Sequence, residues 1–406
     1  MLALRLAVLS IGAALGVFYP FISVILADFG FGPAEIGLIA SAGAVGFTLI
    51  VPVWGHVADV RMGRTRTLQV SAVGASAAVG ALAFSWPPLV IALLFMAYWL
   101  FESAWAPLAD ALTVNAVGRR EYPRVRLLTS LSFAASTVAA GALFDRVGYG
   151  AAFPVAVALG IVIVLTVGRV PDVARADLTR GDLALADAGR QIGHRTRPGD
   201  AGSRLGSAGV AIRVAPRLMV VLGAVVLLQI GVISGFTFLP LRLAELGGSP
   251  SDVALSAGVS ATAEIPAMLV ASRVAERIGL RGMFVGSAVI YLVAQLSWIW
   301  IGDPTLIITT RLLTGVSFAW ITVAVVLTIA RLLSAELQAT GQALFQTLGF
   351  GVSAIVANVV GGLPYDRIGH GAVFGLGASL AAAAAVLGWF AFPPERVREW
   401  AVASAS

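Results

Sequence analysis

The sequence predicts an all-α membrane protein with twelve transmembrane helices in two pseudo-symmetric six-helix bundles. Three observations carry this prediction. The 406 residues are 59% hydrophobic and only 12% charged, whereas soluble domains average about 25% charged residues. Twelve apolar stretches reach the length of about 20 residues that a helix needs to cross a hydrocarbon core of about 30 Å. Short motifs in the first half of the chain also return in the second half.

The predicted helices are separated by short turns that carry Gly, Pro and charged residues. They span residues 3–27, 33–57, 67–85, 88–114, 126–144, 150–169, 217–244, 250–274, 282–301, 304–332, 341–364 and 370–392. Their long Ala, Val, Leu and Ile runs lack the alternation of a transmembrane β-barrel, which favours a helical bundle. The first run is too long for a cleavable signal peptide, so we expect it to remain as the first helix.

One long polar stretch divides the chain into two sets of six helices. The predicted organisation is an N-terminal six-helix bundle over 1–170, a cytoplasmic linker over 171–216, a C-terminal six-helix bundle over 217–392 and a cytoplasmic tail over 393–406. The linker is rich in Arg, Asp, Gly and Ala and poor in aromatic residues, a composition typical of a spacer.

The repeated motifs relate the two predicted bundles to each other. Asp145-Arg146-Val147-Gly148 returns 221 positions later as Asp366-Arg367-Ile368-Gly369. Pro33 and Pro250, which start two predicted helices, are 217 positions apart. Many carriers build a central site, which opens to either side of a membrane, from two similar hydrophobic halves. Transport is therefore the leading functional prediction.

The basic residues predict the orientation of the chain in the membrane. All 27 are Arg, and 23 of them fall on one side when the N-terminus is placed inside. By the positive-inside rule, both termini are expected in the cytoplasm. The expected location is the lipid bilayer of the inner or plasma membrane of the cell. The excess of Arg behind the net charge of +6 is explained by the orientation in the membrane. No nucleic-acid partner is therefore expected.

Several kinds of chemistry are excluded by residues that the sequence lacks. There is no Cys, and the three His residues are far apart in the chain. No His/Glu cluster has the spacing of metal ligands, no Gly-Lys-Ser/Thr loop is present to bind phosphates, and no nucleophile is paired with a base. We expect neither an enzyme nor an ATP-driven pump, no metal and no cofactor. The expected partners are a small-molecule substrate and protons, and the expected state is a monomer.

A charged turn between the second and third predicted helices has a counterpart in the second half. Gly55-x-x-x-Asp59-x-Arg61-x-Gly63-Arg64-x-Arg66 is matched by Ser272-x-x-x-Glu276-Arg277-x-Gly279-x-Arg281. A carboxylate in such a turn accepts hydrogen bonds from a facing helix N-terminus, while the arginines reach neighbouring carboxylates. Simple positive-inside anchoring is the alternative explanation. We expect a cytoplasmic gate made of Asp59, Arg61, Arg64, Glu276, Arg277, Arg281 and Arg126.

These charged turns and the six-plus-six layout resemble the signature of the major facilitator superfamily over the whole chain. Pro107-Leu108-Ala109-Asp110-Ala111-Leu112 and Gln342-Ala343-Leu344-Phe345 are similar to the branch that holds phenylpropionate, lactose and nucleoside proton symporters. The resemblance implies the major facilitator fold, in which two halves rock around a central cavity. It also implies proton-coupled uptake of an organic or aromatic acid, a sugar or a nucleoside.

Acidic residues are predicted at the centres of two membrane-spanning helices. Glu102 lies near the midplane of the fourth helix and Glu264 at the centre of the eighth. Such a charge costs about 2.5–3.5 kcal/mol on insertion-based scales, so it requires a water-filled cavity, a cationic partner or a protonated carboxyl. We expect Glu102 to be the first-choice proton carrier and Glu264 the second. The alternative is a structural buried pair.

A third carboxylate, Asp110, follows Glu102 by eight residues and is expected within reach of Arg126. This pair is either an intermediate proton-binding site on the cytoplasmic side or a structural ion pair, and the sequence favours neither interpretation.

Arg311 is the only candidate for a buried cation, and it could either neutralise Glu264 or bind a substrate carboxylate. Gln229 and Asn358 add neutral hydrogen-bonding groups at depth. For these residues and the aromatic ones, ordinary helix packing is the competing explanation. Candidate aromatic surfaces for stacking on a substrate ring are Tyr19, Trp105, Phe236 and Trp320.

Proton-coupled uptake by alternating access is the function that these observations favour. Proton-driven export of drugs or sugars is the first alternative, because buried acids serve either direction. A non-transporting membrane receptor on the same scaffold is the alternative from a different class.

Overall fold

The computed structural model describes residues 1–170, 209 and 213–392. The predicted tail and most of the predicted linker lie outside the described residues. Helices α1 to α7 are Leu2–Phe18, Ile22–Asp28, Pro33–His56, Arg64–Ala81, Pro88–Glu102, Trp105–Val147 and Ala152–Val167. Helices α8 to α13 are Arg217–Glu245, Pro250–Trp300, Pro304–Leu332, Ala335–Phe345, Ser353–Ile368 and His370–Ala391.

Tighter and wider helical turns join some of these helices. Tyr19–Phe21 and Tyr149–Ala151 are 3₁₀ turns, whereas Val57–Met62 and Gln346–Val352 are π-helical. All regular structure in the described ranges is thus helical, which confirms the predicted fold class.

Ten helical stretches in the described residues are long and apolar enough to cross a membrane. One of them is α9, 51 residues long, in which the non-helical backbone of Gly279 separates two helical parts. Helix α4 is not among the ten, and its first two turns carry Arg64, Arg66 and Gln69. The count of twelve spans therefore stays a prediction.

Helix α6 cannot be straight, although its hydrogen-bond pattern runs without a break from Trp105 to Val147. Asp110 and Arg126 are 16 positions apart, which corresponds to about 24 Å along a straight α-helix. Their side chains nevertheless form an ion pair of 3.4 Å between Oδ1 and Nε. The chain must therefore turn back between them, in agreement with the separate predicted helices 88–114 and 126–144.

Two of the predicted helices are interrupted where a proline removes a backbone donor. The predicted helix 88–114 is divided into α5 and α6 at Ser103 and Ala104. Pro107 has no N–H for the Ser103 carbonyl, four residues earlier, and its ring clashes with that carbonyl. The nearby Leu100 carbonyl accepts hydrogen bonds from the Trp54 indole at 2.7 Å and the Ser103 hydroxyl at 2.8 Å. The interruption is therefore stabilised by side chains.

The predicted helix 3–27 is interrupted in the same way at Tyr19–Phe21. Pro20 cannot donate to the Gly16 carbonyl, four residues earlier. The buried Thr137 hydroxyl of α6 donates to that carbonyl instead, at 2.9 Å. A polar tie between α1 and α6 thus takes the place of the missing backbone hydrogen bond.

The predicted helix 341–364 is also not uniform, because π-helical turns separate α11 from α12. Gly349 and Gly351 lie in this segment. Glycine has the fewest steric limits on its backbone, which favours local widening of a helix at this position.

The Thr137 tie gives a testable prediction for stability. Thr137→Val keeps the side-chain shape but leaves the buried Gly16 carbonyl without its hydroxyl donor, so we expect a loss of about 1–3 kcal/mol. The matched control is Thr309→Val, because the exposed Thr309 hydroxyl donates to the carbonyl four residues earlier in its own helix. Thermal unfolding in detergent measures both variants, and equal melting temperatures would contradict the assigned role of Thr137.

The internal repeat is visible in the backbone. In the described residues every positive-φ position is a glycine, and these glycines form three pairs that are 217, 216 and 221 positions apart. The conformation is also similar within a pair: φ is 78° and ψ is 161° at Gly63, and 72° and 170° at Gly279. The pairs are Gly30 and Gly247, Gly63 and Gly279, and Gly148 and Gly369.

Two helices in corresponding positions, α3 and α9, begin in the same way. The Gly32 N–H donates to the Glu35 carboxylate at 2.9 Å, and the Ser249 N–H donates to the Asp252 carboxylate at 2.8 Å. Each helix starts with a proline, whose missing N–H has no partner to lose at the first helical position. The predicted starts at 33 and 250 are therefore confirmed.

Contacts divide the described chain into two compact units. Unit 1 contains residues 1–20 and 45–170, and unit 2 contains residues 21–44 and 213–392. Within unit 2, the Ser41 hydroxyl donates to the Ile355 carbonyl at 2.8 Å. The predicted domain boundaries follow the sequence repeat rather than these contacts, and they stay predictions.

Candidate functional site

Glu102 is a buried acidic residue in unit 1 without a basic partner in the described part of the chain. It is the last residue of α5, directly before the interruption caused by Pro107, and only 7% of it is exposed. Among the residues that the structure describes, no Arg or His lies within 4.0 Å of its carboxylate and no side chain donates a hydrogen bond to it. A buried carboxylate without such partners is strongly disfavoured in its ionised form.

Two tyrosines interact with this carboxyl group, and one of them belongs to an aromatic cluster. Glu102 interacts electrostatically with Tyr19 and Tyr98. The Tyr98 ring contacts Phe18 edge-on, with centroids 4.8 Å apart, and Trp105, with centroids 6.5 Å apart. The Tyr98 hydroxyl and the Trp105 indole nitrogen are buried and have no hydrogen-bond partner among the described residues. This part of unit 1 therefore holds a carboxyl and two polar groups that a polar ligand or water would satisfy.

Asp110 lies in a different environment from Glu102. Its ion pair with Arg126 was expected from the sequence, and the side chains are 40% and 43% exposed. Tyr122 also interacts with the Asp110 carboxylate. A pair this exposed contributes at most about 1 kcal/mol to stability.

The first charged turn contains one ion pair of its own. Arg64 Nη2 lies 3.5 Å from Asp59 Oδ1, and the Asp59 side chain is 64% exposed. The Thr67 hydroxyl donates to the Gly63 carbonyl at 2.7 Å and fixes the start of α4. Arg61 is exposed and belongs to none of the ion pairs found in the described ranges.

The second charged turn is held by backbone and aromatic contacts. Arg281 Nε donates to the Phe392 carbonyl at 3.1 Å, and its guanidinium lies 5.4 Å from the centroid of the Trp389 ring. Glu276 and Arg277 are exposed, and neither takes part in an ion pair within the described part of unit 2.

Arg311 is a buried cation in unit 2 and is 7% exposed. Its Nε donates to the Ser256 carbonyl at 3.3 Å and its Nη1 to the Thr314 hydroxyl at 3.0 Å. The guanidinium carbon lies 5.9 Å from the centroid of the Trp298 ring. No carboxylate in the described residues lies within 4.0 Å of it. Neutralisation of Glu264, one of the two roles that the sequence left open for Arg311, is therefore not present as an ion pair.

Glu264 is half-buried on α9 and has no basic partner within the described part of the chain. Tyr291, also on α9, interacts electrostatically with both Glu264 and Arg311. The three groups thus belong to one region of unit 2, with the tyrosine in range of both charges.

The neutral candidates in unit 2 have several different environments. Gln229 is fully buried, and neither its oxygen nor its nitrogen has a partner among the described residues. Asn358 accepts a hydrogen bond of 2.7 Å from the Thr237 hydroxyl, which ties α8 to α12. Phe236 is 40% exposed, whereas Trp320 is half-buried and its indole nitrogen is buried without a partner in the described ranges.

The structure therefore brings together two groups of predicted residues. In unit 1, Tyr19 interacts with Glu102, and Trp105 contacts Tyr98, which interacts with the same carboxylate. In unit 2, Arg311 and Glu264 both interact with Tyr291. The sequence analysis did not place Tyr98, Tyr291 or Trp298 in a functional site. Tyr98 precedes Glu102 by four residues and so shares its helix face, which was a readable signal. Tyr291 and Trp298 are brought near Arg311 by packing of α9 on α10, which the sequence does not show.

Comparisons with known proteins agree with this architecture. The model of the MFS_1 like family matches residues 3–376. The maltose permease of Geobacillus stearothermophilus is 28% identical over 374 residues, which cover 89% of this chain and 86% of the permease.

Two solved structures show the same fold. The crystal structure of the nucleoside transporter NupG superposes with a TM-score of 0.75 at 15% identity, covering 96% of this chain and 97% of that one. The D-xylose-proton symporter superposes with a TM-score of 0.66 at 13% identity, covering 97% of each chain. Since the family model spans most of the sequence, this multi-pass membrane protein belongs to the MFS_1-like family of major facilitator superfamily transporters.

Proposed function

We propose that the protein is a secondary transporter that couples the uptake of a small organic solute to the entry of protons by alternating access. The observation that carries the proposal is Glu102, a buried carboxyl with no basic partner among the described residues. A carboxyl in a dry environment binds a proton, and the same carboxyl exposed to water releases it. A change of exposure during transport therefore converts a proton gradient into directed movement.

The polar groups around Glu102 support a site for a polar solute. The Tyr98 hydroxyl and the Trp105 indole nitrogen have no protein partner in the described part of unit 1. A ligand that offers hydrogen-bonding groups would satisfy them, and the aromatic rings would pack on its apolar faces. The names of the similar proteins, a maltose permease, a nucleoside transporter and a D-xylose-proton symporter, are compatible with this class of solute.

We assign supporting roles to the other charged groups. In this proposal Asp110 receives protons at the cytoplasmic end of the path, with Arg126 as its partner, and Glu264 is the second proton site. The gate consists of the two charged turns, with Asp59 and Arg64 in the first. The proposed setting is a monomer in the lipid bilayer of the cell membrane, with both termini in the cytoplasm.

The proposal is tested with purified protein in liposomes under an imposed pH step. The probes are radiolabelled maltose, xylose, uridine and phenylpropionate, and a pH-sensitive dye inside the vesicles reports proton movement. We expect at least one probe to accumulate when the outside is acidic and to carry protons inward. Because orientation in liposomes is mixed, one-sided labelling of a single engineered Cys identifies the orientation, a clean measurement in a chain without native Cys. Expulsion of the probe along with proton entry would support export instead, and movement of no probe would contradict transport.

A further inference from the structure

The charged groups of unit 2 point to a specific class of solute. Arg311 is the only charged residue of α10 between Pro304 and Ala330, and Glu264 is the only one of α9 between Val253 and Ser272. The middle of α8, from Leu218 to Leu241, has none, and α13 carries no charge after His370 at its start. One cation and one carboxylate are therefore the only charges of these helix interiors.

The guanidinium of Arg311 is held in place, but no carboxylate of the described ranges lies within 4.0 Å to neutralise it. Two of its nitrogens are fixed by Ser256 and Thr314, while Nη2 donates no hydrogen bond to any residue that the structure describes. A buried cation without an anion is costly, and a planar guanidinium is well suited to bind a carboxylate. Because the guanidinium is already fixed, binding of an anion requires less loss of side-chain entropy.

Building on the proposed proton coupling, we propose that Arg311 binds the carboxylate of a monoanionic solute and that protonation of Glu264 allows this binding. Close packing of α9 on α10 brings Glu264 and Arg311 into one region, because a Cβ at Gly315, four residues after Arg311, would lie 3.0 Å from the Cβ of Ala263, the neighbour of Glu264. Tyr291 also interacts electrostatically with both groups. An ionised Glu264 in this region repels the carboxylate of the solute. When Glu264 takes up a proton, one cation faces one solute anion and the region is neutral. The solute and the proton therefore bind together, and each binds weakly without the other.

A neutral solute would not show this coupling. It can hydrogen-bond to Arg311, but it gains little from protonation of Glu264 because it carries no charge for that carboxylate to repel. The proposal thus distinguishes an acid from its neutral analogue at the same site.

Binding measured in detergent, without any gradient, tests the inference. The probes are two matched pairs, phenylpropionate with phenylpropanamide and glucuronate with glucose, and ligand-induced thermal stabilisation gives the affinities at about pH 6 and about pH 8. We expect at least one acid to bind more tightly at the lower pH, and its neutral partner to bind weakly at both. Loss of one charged hydrogen-bonded contact in Arg311→Gln is expected to weaken binding of the acid by about 10- to 100-fold.

Further variants separate this role from a structural one. Arg311→Lys keeps the charge and is expected to restore part of the affinity for the acid, whereas Arg273→Gln removes an exposed arginine of α9 and should leave it unchanged. Glu264→Gln should keep binding of the acid but remove its dependence on pH. An Arg311→Gln protein that does not fold leaves the Lys and Glu264 variants as the test.

The inference is overturned if neither acid binds, if acid and neutral partner bind equally well, or if Glu264→Gln retains the full pH dependence. These outcomes differ from failure of the proposed function, which is measured as gradient-driven accumulation. Accumulation of maltose that requires Glu102 but not Arg311 would leave the proposed function intact and remove the inference. Tight, pH-dependent binding of an acid without any accumulation would do the reverse.

Discussion

Glu102→Gln is expected to abolish accumulation driven by a pH gradient while solute exchange at equal pH continues. Glutamine has the shape of a protonated glutamate but neither binds nor releases a proton, so the variant stays in the uncharged form. The structure makes this substitution mild for folding, because Glu102 has no ion pair to lose among the described residues. The internal concentration of the transported probe should then level off at the external concentration.

Two measurements in the same liposomes show whether this expectation holds. Uptake driven by an acidic exterior reports coupling to the proton gradient. Exchange of labelled for unlabelled probe at equal pH reports solute binding and alternating access without that coupling. Glu121→Gln is the matched control, since Glu121 is an exposed acid of α6 that pairs with Arg124 on the surface. Accumulation by Glu102→Gln at the level of the control would show that the proton is carried elsewhere.

Loss of exchange as well as accumulation would have a different meaning. It would place Glu102 among the groups that bind the solute itself, in agreement with the nearby Tyr98 hydroxyl and Trp105 indole nitrogen, which have no partner among the described residues. Tyr98→Phe then separates the two roles: it should weaken exchange of a polar probe if the hydroxyl binds solute, and it removes no proton carrier.

The features that were predicted correctly from the sequence depend on residues that are close together in the chain. Apolar runs give the helices, and the starts of α3 and α9 follow from a proline with an acidic residue two positions later. The repeat was visible because positions that need positive φ retain glycine, as at Gly63 and Gly279. The burial of Glu102 followed from its place in the middle of an apolar run.

Other features depend on contacts between distant segments and were not predicted. The interruptions at Pro20 and Pro107 persist because Thr137 and Trp54 supply donors from other helices. Arg311 was expected to be a possible partner of Glu264, yet the structure fixes it by Ser256 and Thr314 instead. The choice depends on side-chain directions at the crossing of α9 and α10, which hydrophobic periodicity does not encode.

The close packing of α1 on α6 leads to the second large expected effect, for Gly16→Ala. A Cβ atom at Gly16 would overlap the Ser136 hydroxyl and the Phe133 carbonyl, and it would lie 2.9 Å from the Thr137 hydroxyl. The Ser136 side chain can rotate away, but the Phe133 carbonyl belongs to the backbone of α6. Relief therefore requires the two helices to separate, as expected where small residues allow close helix contact in membranes.

Such overpacking costs about 1–3 kcal/mol, and separation of the helices would also stretch the hydrogen bond from Thr137 to the Gly16 carbonyl. We therefore expect Gly16→Ala to lower the melting temperature more than Thr137→Val does. Gly223→Ala is the control, because a Cβ there meets its nearest neighbour, Leu387, at 3.9 Å. Alanine is the better helix former by about 1 kcal/mol, so this control should melt at the wild-type temperature or above. Equal melting of the Gly16 and Gly223 variants would mean that α1 and α6 are free to move apart, and that the Thr137 contact does not fix the interruption at Pro20.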